Sequence, residues 1–311
     1  MGFDPRSFVE RAVEEIKRTV GGERAIAACS GGVDSTVAAV LAKIALGDRL
    51  KPVYIDDGFR RLGEPEATLK LLRSVGLDVE LVDAKEEFYA AVRGLRDAEE
   101  KRRAFRHTFY TVLGREARRW GARFLVQGTI AADVVETVGG VKTQHNVLVQ
   151  LGIDPRSYGF ELVEPLRELY KPQVRELARY LGLPREISER MPFPGPGLLI
   201  RVVGEATPER VEVVRRATKI VEEETRGLGA FQAFAVLLEG RATAVKGGRR
   251  VYGYIVAVRV VESSDALTAR ASELPYQLLK RIASRITEEI PEVARVLYDV
   301  TDKPPATIEF E

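Results

Sequence analysis

Cysteine is almost missing from this chain. Its 311 residues include one, Cys29, which excludes an internal disulfide and any CxxC metal or redox site. Histidine is nearly as scarce, with only His107 and His145, and no Ser-His-Asp or Cys-His arrangement can be drawn from the pair. No apolar run reaches membrane-spanning length. The opening "MGFDPRSFVERAVEEIKRTV" is amphipathic and charged, unlike a signal peptide, and Arg6 stands where a myristoylation signal would want Ser or Thr. A cytoplasmic protein with no membrane partner is therefore expected. Charge of one sign is lacking too, since the formal net charge is +2. The basic residues of "EEKRRAFRHTFYTVLGREARRW" alternate with acidic ones at helical spacing and read as a solvated helix face, so no nucleic-acid partner is expected. Two Met, one Cys and an Arg-heavy charged complement lean towards a heat-adapted source.

What is present is ordinary for a soluble globular protein: 45% hydrophobic and 30% charged residues, in a chain long enough for two domains. From about residue 25 to 185, short apolar runs ("AIAAC", "KPVYID", "DVELVD", "RFLVQG") alternate with longer helical segments. That alternation predicts a parallel, doubly wound α/β sheet with ligands beyond the strand carboxyl ends. At "MPFPGPGLLIRVVGE" the dense Pro and Gly forbid regular structure. The boundary is placed there, with an α/β domain over 1–190 and a smaller α+β domain with an antiparallel sheet over 191–311.

The stretch "AIAACSGGVDSTVAAVLA" predicts a buried strand feeding a helix from about Val33 to Leu46. Gly31 and Gly32 then lie at the helix N-terminus, where backbone N–H groups and the helix dipole favour phosphate. The Walker lysine is absent from "SGGVDST", so this is a different phosphate loop. Asp34 is the anomaly, because a carboxylate should repel phosphate. Either it caps the helix, or it meets a polyphosphate through Mg²⁺, which takes carboxylate and phosphate oxygens together. Asp133 and Glu136, three apart, either aim two carboxylates at Mg²⁺ or the reacting atoms, or form a solvated pair.

"SGGVDST" after a strand resembles the pyrophosphate loop of the ATP pyrophosphatase superfamily. Further segments, "RRLGEPE", "VQGTIAADVVET", "GVKTQHNV", "LYKPQVRELARYLGLP", "PFPGPGLLIRVVGE", "FQAFAVLL", "VRVVESSDALTA" and "YDVTDKPPATIEFE", follow in the order found in the GMP synthetase family. Over almost the whole chain the sequence is similar to the synthetase (ATP pyrophosphatase) subunit of that family. The resemblance implies conversion of xanthosine 5'-monophosphate (XMP) to GMP with ATP, Mg²⁺ and ammonia, releasing AMP and pyrophosphate.

By the same resemblance, Ser30, Gly31, Gly32, Val33, Asp34, Ser35 and Thr36 should bind ATP phosphates, with Asp57, Gly128 and Thr129 near the nucleotide. Asp34 and Asp133 are the expected metal ligands. Lys142 matches the family's mobile-loop lysine, and Asp34, Lys142 and His145 are the expected catalytic residues. Next to Lys142 the sequence reads "KTQHN" where two histidines are usual, so Gln144 supplies no titrating group. XMP is expected at Arg61, Arg201, Arg259, Lys303, Ile308 and Glu309. The last residues either fray or form an ordered lid, and removing "KPPATIEFE" is expected to abolish XMP use and spare the fold. The family's C-terminal domain pairs with its copy, so a homodimer is expected. A tRNA-thiolating enzyme would need further cysteines, and a silent scaffold would not keep loop, lysine and tail intact. Glutaminase chemistry normally needs a cysteine nucleophile. With none suited to it here, ammonia is expected from a separate glutamine amidotransferase subunit.

Overall fold

The computed structural model describes residues 3–131, 133, 154–263 and 266–311. Lys142, Gln144, His145 and Glu136 lie outside the described residues. The chain divides into two units: Met1–Asp57, Glu64–Lys85 and Arg106–Arg190 form the first, and Gly58–Gly63, Glu86–Phe105 and Met191–Glu311 the second.

In the first unit α1 (Pro5–Val20) starts at Asp4, whose side chain accepts from the Arg6 N–H, and buries Phe8, Ala12, Val13, Ile16 and Val20 on one face. The strands are β1 (Arg24–Ala28), β2 (Leu50–Asp56), β3 (Glu80–Asp83), β4 (Ala122–Val126) and β5 (Glu161–Val163). They form a sheet in the order β3-β2-β1-β4-β5, with every pairing parallel. The central strand reads "RAIAA" with Ala25, Ile26 and Ala27 fully buried, as a strand covered on both faces should. Helices α2 (Val33–Leu46), α3 (Glu64–Ser74), α4 (Lys85–Val92), α5 (Ala98–Trp120), α6 (Lys171–Tyr180) and α7 (Arg185–Ser188) are interleaved with or follow the strands. Most of α4 and the start of α5 are assigned to the second unit. The strand order reverses between β1 and β4, and in such sheets the region beyond the strand carboxyl ends at that point is the natural ligand crevice.

The second unit contains α8 (Pro208–Glu224), which packs on β6 (Gln232–Lys246), then β7 (Arg249–Glu262), β8 (Arg270–Ala271), α9 (Tyr276–Glu289) and β9 (Val293–Tyr298). β6 and β7 form a long antiparallel hairpin, turned by Gly247 and Gly248 at φ 55° and 75°, the left-handed pair such a turn needs. β8 is antiparallel to β7, but β9 runs parallel to it. The sheet is thus mixed, whereas the sequence pattern suggested an antiparallel one. A parallel partner requires a crossover, and α9 supplies it. Phe234, Val236, Ala257, Val261, Ala269 and Ile308 make a core cluster here, so the tail contributes to packing. Among the described residues no helix is long and apolar enough to cross a membrane.

Candidate active site

The loop after β1 is built from small residues for steric reasons. Gly31 has φ +76°, and a Cβ on it would run into the Thr68 side chain and to 2.5 Å from Arg190 Nη1. Arg190 is fixed by the buried Glu64, Nη2 to Oε1 at 2.6 Å. At the end of β4, a Cβ on Gly128 would lie 2.6 Å from the Asp34 carbonyl carbon and the Ser35 nitrogen, so that loop rests on the first turn of α2. Side chains complete the bend. Ser30 N–H donates to Ser35 Oγ at 3.2 Å, Gly32 N–H to Ser30 Oγ at 3.3 Å, and Ser35 Oγ to the Gly32 carbonyl at 3.1 Å. Thr36 is fully buried and its hydroxyl donates to the Gly32 carbonyl at 2.8 Å, so it braces the helix start from within. Val33 is likewise buried, which leaves its backbone as the part that can serve a ligand.

Asp34 does not cap α2. Gly32 is the N-cap and makes no side-chain capping bond. The Asp34 carboxylate instead accepts from Lys171 Nζ, Oδ2 at 2.6 Å. Lys171 opens α6 and carries no expected role from sequence; its only signal is a lysine just before the helix-starting proline of "LYKPQVRELARYLGLP". Thr129 is buried and donates to Glu164 Oε1 at 2.6 Å. Asp133 accepts the Ile130 N–H at 2.9 Å, which commits one carboxylate oxygen to a local backbone contact. Asp57 is buried at the end of β2. Its neighbour Asp56 binds Lys85 at 3.1 Å, and that contact raises the lysine's pKa above its ordinary value.

No three of His, Cys, Asp and Glu converge as a metal cage among the described residues. A hard cation that binds mainly through substrate phosphates needs only one or two carboxylates. Asp34 suits that demand, since it already takes a cationic partner in the Lys171 ammonium. Cys29 is buried at the end of β1, and desolvation pushes its thiol pKa up to about 12. It therefore holds no useful thiolate at neutral pH.

In the second unit two of the three arginines expected to meet XMP, Arg201 and Arg259, bond the last residues. Arg201, 1% exposed, makes a bidentate pair with Glu309, at 3.0 and 2.9 Å. Its guanidinium lies 3.9 Å from the Phe234 ring centroid and 5.0 Å from that of Phe193. Its third nitrogen, Nη1, is buried with no hydrogen-bond partner among the described residues. Arg61 also faces Phe193, at 4.0 Å, and pairs with Glu222 at 2.6 Å. Arg259 is fully buried and its donors are committed to the tail region: the carbonyls of Thr301, Thr307 and Ile308 and the Asp299 carboxylate. It holds the tail in place. Lys303 pairs with Ala269 through the backbone, and its Nζ donates to the Ala266 carbonyl at 2.7 Å. Gly197, at φ +60°, lets the chain close on Phe59, whose carbonyl accepts from Leu198 N–H at 2.8 Å.

Residues 6–195 match the NAD synthase family, and residues 220–310 match the family described as the GMP synthase C terminal domain. The chain is 55% identical to the B subunit of the glutamine-hydrolyzing GMP synthase of Archaeoglobus fulgidus, over 99% of this chain and 100% of that one. The proteins of the same name from Methanopyrus kandleri (99% and 100% covered) and Pyrococcus horikoshii (98% and 98%) are each 53% identical. The chain belongs to the GMP synthase B-subunit family. Membership accounts for the pairing of an ATP pyrophosphatase-type α/β unit with this C-terminal module. It also marks the chain as a ligase component that uses ATP.

The basic stretch read as a solvated face is in part the opposite. Lys101 is fully buried and Arg102 is 8% exposed, and both reach the final residue, Glu311. Helical spacing says which residues share a face and cannot say that a segment 210 residues away covers it.

Proposed function

We propose that this chain is the synthetase component of a two-subunit GMP synthase, which aminates XMP to GMP using ATP. The xanthine 2-oxygen attacks the α-phosphorus of ATP and pyrophosphate leaves. Ammonia then adds to C2 and the oxygen departs with AMP. The sequence implies no covalent enzyme intermediate, so the chain's task is to position and to neutralise charge.

The observation that carries the reading is Asp34: a carboxylate in the first turn of a helix whose glycine loop favours anions, turned onto a cation at 2.6 Å. Backbone N–H groups of residues 31–36 would bind the pyrophosphate moiety, and Lys171 would give its ammonium to phosphate oxygens once they arrive. Asp34 would hold Mg²⁺, with Asp133 as a second ligand; Mg²⁺ neutralises the polyphosphate and makes pyrophosphate a better leaving group. Lys142 and His145 are proposed, from sequence, to add positive charge and a proton-transfer group. Asp57, Gly128 and Thr129 would shape the nucleotide's place. Arg61, Arg201, Lys303, Ile308 and Glu309 would take XMP, with Glu309 accepting from a purine N–H. Arg201 Nη1, without a partner among the described residues, supports this, because a buried donor left unmade is costly until a ligand accepts from it. Arg259 would act through the tail it holds.

Ammonia would come from a separate glutamine amidotransferase subunit. The chain would work in the cytoplasm as a homodimer paired through 205–311. The test is AMP release from ATP by the purified chain in ammonium, with and without XMP. AMP is expected only when XMP is present; equal release without it would contradict the assignment.

A further inference from the structure

The tail is fastened by side chains with no assigned part in the reaction. Lys101 is 0% exposed, and its ammonium donates to the carbonyls of Val202 at 2.8 Å and Gly204 at 2.9 Å and pairs with the Glu311 carboxylate. The other Glu311 oxygen accepts from the Gly204 N–H at 3.1 Å, and Arg102 donates to the Glu311 carbonyl. One buried cation thus ties the turn at 199–204 to residue 311. That turn carries Arg201, and Glu311 sits two positions after Glu309, the partner of Arg201. Both ends of the Arg201–Glu309 pair are therefore set by the same ammonium.

A buried lysine is a poor way to add stability, because desolvation opposes the charge, and here it lowers the lysine's pKa. An apolar side chain of the same length would fill the space. Methionine cannot, however, specify where three carbonyl and carboxylate groups stand relative to one another. We infer that Lys101 is a positioning residue for XMP: by latching Glu311 to the 199–204 turn, it sets the register in which Arg201 and Glu309 receive the nucleotide. The inference rests on the proposed function above for the identity of that nucleotide. It does not rest on it for the latch itself. Glu311 becomes a working part of the site, and the requirement is for its side chain at that place.

The test uses the full chain and the variants Lys101→Met, Glu311→Gln and the double variant. Steady-state kinetics in ammonium are read together with hydrogen exchange of the amides of residues 303–311 in the absence of nucleotide. Lys101→Met is expected to raise KM for XMP about tenfold or more, the scale of a small misplacement of binding groups, while KM for ATP stays within about twofold. Tail amides should lose protection. Glu311→Gln should do the same more weakly and add nothing once Lys101 is gone, because both act through one contact. A purely structural lysine would lower the folded fraction and leave both KM values alone. Unchanged KM for XMP with unchanged tail exchange overturns the inference, as does a rise in both KM values together. If Lys101→Met does not fold, Glu311→Gln and Glu311→Ala carry the same two readouts on the native lysine. If the unaltered chain makes no XMP-dependent AMP, the functional reading fails, and tail exchange in the variants still decides the latch.

Discussion

The phosphate loop and the tail, each proposed to hold a phosphorylated ligand, are built by opposite means. In the loop, residues 30–36 bond mainly to one another and to the first turn of α2, over separations of two to five positions. Its specificity lies in small residues and backbone. The tail is held by arginine and lysine side chains meeting carboxylates and carbonyls across separations of 108 to 210 residues for Arg201 and Lys101. Local contact makes the first site a property of a heptapeptide. The second exists only once the unit has folded, so it can be lost without altering any motif.

Removing 303–311 should have the largest effect. The sequence suggested a tail that could go without harm to the fold, yet its loss leaves Lys101 and Arg201 buried without the carboxylates that neutralise them and takes two carbonyls from Arg259, which keeps Asp299. A buried charge that loses its partner costs about 3–5 kcal/mol. XMP use should vanish and the second unit should melt at lower temperature, both readable by assay and calorimetry; a truncated chain with unaltered Tm would mean these pairs contribute nothing.

Asp34→Asn comes next, with XMP-dependent AMP release reduced about a hundredfold or more, the scale of losing a charge-stabilising group. Since Gly32, not Asp34, is the N-cap, Tm should scarcely change. Full activity at ordinary Mg²⁺ would remove the metal-ligand role. Gly128→Ala should then cost about 1–3 kcal/mol by overpacking, because its Cβ meets backbone rather than a movable side chain. Denaturant titration reads this directly, and a neutral result would show that β4 and α2 can separate freely. Thr36→Val is the smallest change. It should cost about 1 kcal/mol for one buried hydrogen bond and leave KM for ATP near its original value, because the hydroxyl serves Gly32. A large rise in that KM would return Thr36 to the ligand.

Much of the first unit was legible, because helix and strand periods are local. The expected helix from Val33 to Leu46 matches α2, and the four apolar runs fall on β1 to β4. The parallel β9 was not legible, since "VARVLYDV" reads the same in either direction of pairing. Lys171 and the Glu64–Arg190 pair were also missed, because a lysine at a helix start or an arginine in a loop carries no local mark of its distant partner. The residues assigned to XMP came from resemblance alone, and their mutual contacts could not be read from it. Arg201 and Glu309 bind each other, while Arg259 serves the tail.

Loop and tail together are read as those of a synthetase supplied with ammonia by another subunit. Its one thiol is buried with a pKa pushed up to about 12, so no nucleophile suited to glutamine is offered at neutral pH. The decisive assay supplies the purified chain with XMP, ATP and Mg²⁺, and either ammonium or glutamine, across a range of pH. With ammonium, GMP should form at a rate that climbs with pH as NH₃ replaces NH₄⁺, when amination or ammonia binding limits turnover. With glutamine alone, neither GMP nor glutamate should appear. Glutamate produced by the isolated chain would show that it carries a glutaminase of its own, and the two-subunit reading would fall.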